Sequence, residues 1–361
     1  MCMNRFQKKE LPDPRTYPVL PPDMNYIYFE GAQAAPFKPE QTEYSPVNAW
    51  WLAESAFLAY THPGFARMAF KLAGLDGFQF LGGTTTECMI TWNDDLAIVA
   101  FRGTEMKSLS ALREIRTDLN TILHTFPEGG RVHKGFYKAL EEIWEGPAQC
   151  RLFLESLSKK QPGRPVWFTG HSLGGALASL AFARMPFARG LYVFGSPRVG
   201  DQAFAELALK RPVWRVENAK DPITLLPPDV PALGLNFVPI GTLVHIAKDG
   251  RIESDRPVFD LREQGEKAGR TLSKQIARVA AIMKRSRKAT RRADNHGMIA
   301  RYVEGTRAAY AELDSQIHES ILEWREYLDE IDHTAGIRLE DHMPIFYASR
   351  LWNNLVEHGK E

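Results

Sequence analysis

The sequence predicts an α/β protein, with a mostly parallel central sheet flanked by helices and a helical hairpin inserted late in the chain. Three observations carry this. Short β-prone runs alternate with helical patterns from residue 48 to about 250, which is the signature of a parallel sheet covered on both faces. One strand-like run passes through a glycine-flanked serine straight into a small-residue helix. After residue 260 the alternation stops, and two helical segments of opposite charge follow.

Taken in order, residues 1–46 hold eight prolines. Proline lacks the amide donor that helices and central strands require, so an irregular arm is expected there. "NAWWLAESAFLAY" (48–60) has apolar residues at helical spacing. "GFQFLG", "ECMITW" and "LAIVAF" (77–82, 87–92, 96–101) are β-prone runs broken by Gly, Thr, Asn and Asp, hence successive strands. Residues 135–158 return to a helical pattern. "PVWFTG" (165–170) is a buried strand, "LGGALASLAFARM" a helix and "GLYVFGSP" (190–197) another strand. "PVWRVEN" (212–218) and "GTLVHIA" (241–247) complete the alternation.

From 261 to 292 there are eleven Lys/Arg against two Glu, with Leu272, Ile276, Val279 and Met283 forming one apolar stripe. From 303 to 341 the balance reverses to eleven Asp/Glu against three Arg. An antiparallel pair with attracting faces is expected. Its plainest role is a structural hairpin, the alternatives being a basic face that touches lipid or a partner and an arm for a homodimer. The expected organisation is therefore a 1–46 arm, a main domain of 47–260 and 336–361, and a 261–335 insertion.

Composition narrows the function. The chain has 361 residues, 44% hydrophobic and 25% charged, with net charge +1. A sizeable core is expected, and nothing draws the whole molecule toward nucleic acid. Cys2, Cys88 and Cys150 are too few and too scattered for a disulfide framework or a zinc cluster. No HExxH or Asp-rich loop appears, so neither a metal nor another cofactor is expected. The N-terminus lacks a signal-length apolar core and no run is long enough to span a bilayer. The expectation is a cytoplasmic protein, or one exported by a route without a cleaved signal.

"VWFTGHSLGGALASLAF" (166–182) is the strongest chemical signal. A strand that turns sharply into a helix strains its apex residue, and flanking glycines let the neighbouring backbones approach. Ser172 in Gly170-His171-Ser172-Leu173-Gly174 is thus presented as a nucleophile, the alternative being an inert serine in a β-to-α turn. The helix behind it aims N-terminal amides and its positive dipole end at that point, so the Leu173 amide can bind an oxyanion. A serine needs a base to take its proton and an acid to orient that base, and in this architecture the order along the chain is Ser, acid, His. Asp221 in "WRVENAKDPITLLPP" follows a strand and precedes a proline-fixed loop. Its competitors are Glu217, inside the apparent strand, and Asp229, beyond the paired prolines. Two histidines compete as base: His296 in "DNHGMIARY" and His342 in "EDHMPIFY". His171 and His133 are expected to pack and hydrogen-bond, and His245, within a strand, to be a core histidine.

The stretches "AIVAFRGT", "VHKGFYKAL", "GHSLGGALA", "YVFGSPRVGD", "VENAKDPITLLPP" and "DHMPIFYASRL", in that order, make the chain resemble the class 3 lipases, the fungal-type triacylglycerol lipases and their bacterial and plant relatives. The resemblance covers 48–250 and the last twenty residues. It implies an α/β-hydrolase fold and hydrolysis of fatty-acyl or other carboxylic esters, with a lipid substrate and transient contact with a lipid interface. It also implies that Thr104, after "FRG", supplies an amide and a hydroxyl to the oxyanion hole, the alternative being a cap of the helix that follows. The segment after Thr104 stands where the family carries a lid, with Met106, Leu109, Leu112 and Ile115 as candidates to face the pocket, although the family's usual tryptophan is absent; the alternative is a surface helix with one buried face. His342 matches the family's terminal "DH", whereas His296 lies in a segment that the family core lacks. Alternatives in reserve are a phospholipase or exported lipolytic toxin, favoured by the basic 261–292 segment, and a lipase-shaped protein that only binds.

Overall fold

The computed structural model describes residues 6–13, 26–103, 123–227, 229–230, 235–253 and 339–358. The strands are β1 Gly77–Gly82, β2 Glu87–Trp92, β3 Ala97–Phe101, β4 Leu123–Thr125, β5 Arg131–His133, β6 Val166–His171, β7 Ala188–Phe194, β8 Val213–Asn218, β9 Asp229–Val230, β10 Leu235–Asn236, β11 Thr242–Ile246 and β12 Ile252–Glu253. The α-helices are α1 Pro46–Leu58, α2 Pro63–Leu72, α3 Lys134–Trp144, α4 Cys150–Lys160, α5 Leu173–Arg184, α6 Gln202–Ala208 and α7 Pro344–His358. A compact unit comprises 1–228, 236–256 and 338–361. The second unit, 229–235 and 257–337, lies almost wholly outside the described residues, as does the expected 261–335 hairpin.

Eight strands make one sheet in the order β1-β2-β3-β6-β7-β8-β11-β12. The ladders from β3 through β6, β7 and β8 to β11 are parallel, and the outer ones are antiparallel. The central strands read as apolar runs because both faces are covered. Along them the side chains alternate. Ile98, Trp167 and Tyr192 enter the core shared with α1, α2 and α7. Val99, Phe168 and Val193 enter the core shared with α3, α4 and α5. α1 is buried from Asn48 to Leu58, so it is the central helix of its layer, packed on β6 and α7.

The sequence and the structure differ in two places. The helical pattern over 135–158 is two helices, because Gly146-Pro147 interrupts it and Gln149 takes a left-handed φ of 51°. The proline-rich arm is free of helix and strand over 26–45, yet Phe29, Ala32, Ala35 and Phe37 are core residues there. Buried Glu54 of α1 fastens it, accepting from Tyr26 Oη at 2.6 Å, Trp50 Nε1 at 3.1 Å and the Phe29 amide at 3.4 Å. Lys9 Nζ lies 3.6 Å from the same carboxylate. No described helix is long and apolar enough to cross a membrane.

Candidate active site

β6 ends at His171 and α5 begins at Leu173, so Ser172 is the whole turn between them. Its φ of 56° and ψ of −130° are a conformation that side-chain-bearing residues rarely adopt. The flanking glycines make it attainable. A Cβ on Gly170 would meet the Gly174 carbonyl oxygen at 2.2 Å, and one on Gly174 would meet the Phe101 carbonyl oxygen at 2.2 Å. The strand, the turn and the end of β3 therefore touch through bare backbone. The Leu173 amide sits in the first turn of α5, where backbone N–H groups have no acceptor within the helix.

Asp221 comes from the turn after β8 and His342 from the short 3-10 turn Leu339–His342 that leads into α7. His342 Nε2 is 2.8 Å from Ser172 Oγ, and its Nδ1 is 2.8 Å from Asp221 Oδ2. Ser172, Asp221 and His342 are all buried. A carboxylate at Nδ1 fixes the proton there and leaves the Nε2 lone pair to accept from the serine hydroxyl. The second oxygen, Asp221 Oδ1, accepts from the Ile223 amide at 2.9 Å.

Tyr347 Oη donates to Asp221 Oδ2 at 2.5 Å and accepts from the Asn218 amide at 3.1 Å. Burial, and then the Asp221 charge, push this phenol well above its ordinary range, so it stays a donor. His171 lies under the base. Its Nε2 is 2.6 Å from the His342 carbonyl oxygen and its Nδ1 2.8 Å from Tyr60 Oη. A carbonyl only accepts, so the proton is on Nε2 and Tyr60 donates to Nδ1. Burial, and then the neighbouring His342, hold the His171 imidazole well below its ordinary value, so it is neutral.

Three of the other candidates are described. Glu217 pairs with Arg215. His245 Nε2 bonds the Ala219 carbonyl at 3.0 Å, and His133 caps α3 through the Phe136 amide at 3.3 Å. The Asp229 side chain, His296, Thr104 and the lid positions Met106, Leu109, Leu112 and Ile115 lie outside the described residues. Gly103, next to Thr104, is described: a Cβ there would strike Tyr60 Oη at 2.0 Å. Sequence reasoning missed the roles of Tyr60, Asn218 and Tyr347. Only Tyr347, five positions after His342, carried a visible cue.

Fold and site define an α/β protein with a mostly parallel sheet, whose strand–turn–helix elbow sets Ser172 in a serine–histidine–aspartate hydrogen-bond relay. Residues 98–230 match the family model described as lipase (class 3). The chain is 37% identical over 107 residues to a secreted mono- and diacylglycerol lipase 1 of Fusarium solani, covering 28% of this chain and 31% of that one. It is 35% identical over 144 residues to a lipase of Rhizomucor miehei, covering 36% of this chain and 37% of that one. The chain thus spans about a third of the length of these curated relatives. A solved triacylglycerol lipase superposes with a TM-score of 0.46 at 23% identity, over 56% of this chain and 81% of that one.

Proposed function

We propose that the protein is a serine carboxylic-ester hydrolase of lipase or esterase type, acting on acylglycerols or other fatty-acyl esters. The observation that carries this reading is His342, bonded to Ser172 Oγ and Asp221 Oδ2 at 2.8 Å each. Nε2 takes the hydroxyl proton as Ser172 Oγ attacks the ester carbonyl. Asp221 stabilises the imidazolium. The tetrahedral oxyanion is held by the Leu173 amide and, from the family resemblance, by Thr104. His342 returns the proton to the leaving alcohol, leaving an acyl-enzyme on Ser172. A water activated by the same base then releases the fatty acid.

The names of the Fusarium solani and Rhizomucor miehei relatives support a lipid ester over a small soluble one. Met106, Leu109, Leu112 and Ile115 serve as lid residues in this reading, and contact with a lipid interface is transient. The hydrolase domain is 47–260 with 336–361, preceded by the 1–46 arm and interrupted by 261–335.

Hydrolysis of p-nitrophenyl butyrate and of emulsified diacylglycerol by wild type and Ser172→Ala tests this. Turnover of both by the wild type, abolished in the folded variant, is expected. Retained turnover in Ser172→Ala would refute the reading.

A further inference from the structure

The base reaches the site through an awkward connection. His342 lies 121 positions after Asp221, and most of the intervening chain belongs to the second unit, so chain connectivity alone does not fix its place. Side-chain contacts between the two turns do. Asn218, the last residue of β8, stands three positions before Asp221 and is fully buried. Its Nδ2 donates to the Asp341 carbonyl oxygen at 2.7 Å, one residue before His342. Its Oδ1 accepts from Arg350 Nη1 of α7. Its backbone amide donates to Tyr347 Oη, the group that also binds Asp221.

The same pair of turns is joined a second time. The Lys220 amide donates to Asp341 Oδ2 at 3.2 Å, and Arg350 Nη2 lies 3.9 Å from Asp341 Oδ1. Between them, Ala219 has a left-handed φ of 44° and is pinned by its amide to the Ile246 carbonyl at 2.7 Å and by its carbonyl to His245. A guanidinium only donates and a backbone carbonyl only accepts, so the two ends of the Asn218 amide are not interchangeable. Aspartate at this position would face the Asp341 carbonyl with a second acceptor.

Resting on the function proposed above, we propose that Asn218 is a positioning residue, which with Arg350 and Asp341 clamps the histidine turn to the aspartate turn and holds His342 in line with Ser172. Asn218 touches neither substrate nor the reacting atoms. It acts through the backbone of Asp341, which makes the geometry of the base a property of β8 and α7.

The test compares Asn218→Ala and Asn218→Asp in wild-type and His342→Ala backgrounds. kcat and KM on p-nitrophenyl butyrate are measured at the pH plateau of each variant and well below its melting temperature. Displacing a catalytic group by about 1 Å lowers turnover roughly 100-fold, so a kcat loss of about 10- to 100-fold is expected, with KM within about twofold. In the His342→Ala background the same substitutions are expected to change residual turnover less than about twofold, because the group they position is gone. A purely structural asparagine would lower both backgrounds by equal factors, and that result would overturn the inference. So would unchanged kcat in a folded variant. If Asn218→Ala does not accumulate as folded protein, the comparison rests on Asn218→Asp, which keeps the shape and the Arg350 partner. Ester turnover that survives Ser172→Ala would instead refute the underlying function.

Discussion

His171 Nε2 donates to the carbonyl oxygen of His342 at 2.6 Å, so the residue just before the elbow serine holds the main chain of the histidine that faces that serine. The bond puts a proton on Nε2, while Nδ1, 2.8 Å from the Tyr60 hydroxyl, accepts only in the neutral ring. Burial and the adjacent His342 lower the His171 pKa, so the unfolded chain binds its proton more readily than the native state. The corresponding stability is present above the unfolded value of about 6.5 and is lost as pH falls from there through the folded value. Melting temperature is therefore expected to fall between pH 7 and pH 5, and to fall less steeply in His171→Gln. Parallel slopes for the two proteins would contradict it.

Tyr347→Phe removes a donor from Asp221 and leaves the buried Asn218 amide without its acceptor. A hydrogen bond to a charged group contributes about 1.5–3 kcal/mol, and a loss of that size in urea unfolding is expected together with reduced turnover. The raised Tyr347 pKa gives stability that is present below about pH 10 and lost as pH rises through the folded value. The alkaline fall in melting temperature should accordingly be shallower in the variant.

At the elbow, Gly174→Ala would set a methyl 2.2 Å from the Phe101 carbonyl oxygen, between two backbones that cannot both retreat. A loss of about 3 kcal/mol or more is expected. Gly163→Ala makes the control: its φ of 84° disfavours a side chain, but no atom lies within 4 Å. That substitution should cost only about 1–2 kcal/mol. Equal midpoints in urea unfolding would show that backbone contact does not constrain the elbow.

How far the sequence carried varied by element. The strand–turn–helix around Ser172 was legible because its contacts are local: Gly170 and Gly174 declare close backbone approach within five residues. Asp221 was legible from the proline-fixed turn after a strand. Choosing His342 over His296 needed the family resemblance, because nothing local separates two histidines in similar stretches. The supports were hidden for a different reason. Tyr60 to His171, Asn218 to Asp341 and Arg350 to Asn218 join residues more than 100 positions apart. Only the three-dimensional packing of α1 and α7 on the sheet brings them together.

The arm shows the same limit. Prolines marked 1–46 as irregular, yet its aromatic residues complete the core around α1. Glu54→Ala would leave the Tyr26 hydroxyl, the Trp50 indole and Lys9 facing an empty site. Removing one partner from a buried charged cluster costs about 3 kcal/mol or more, so a lower melting temperature is expected. Faster amide exchange over 6–13 and 26–35 should accompany it. Unchanged exchange there would mean that Glu54 does not hold the arm.

The most direct measurement of the central claim is peptide mapping after treatment with a fluorophosphonate, which reacts readily with a base-activated serine. One adduct on Ser172 is expected in the wild type, with its formation slowed about 1,000-fold or more in His342→Ala. An adduct on another residue, or labelling of His342→Ala at the wild-type rate, would contradict the account.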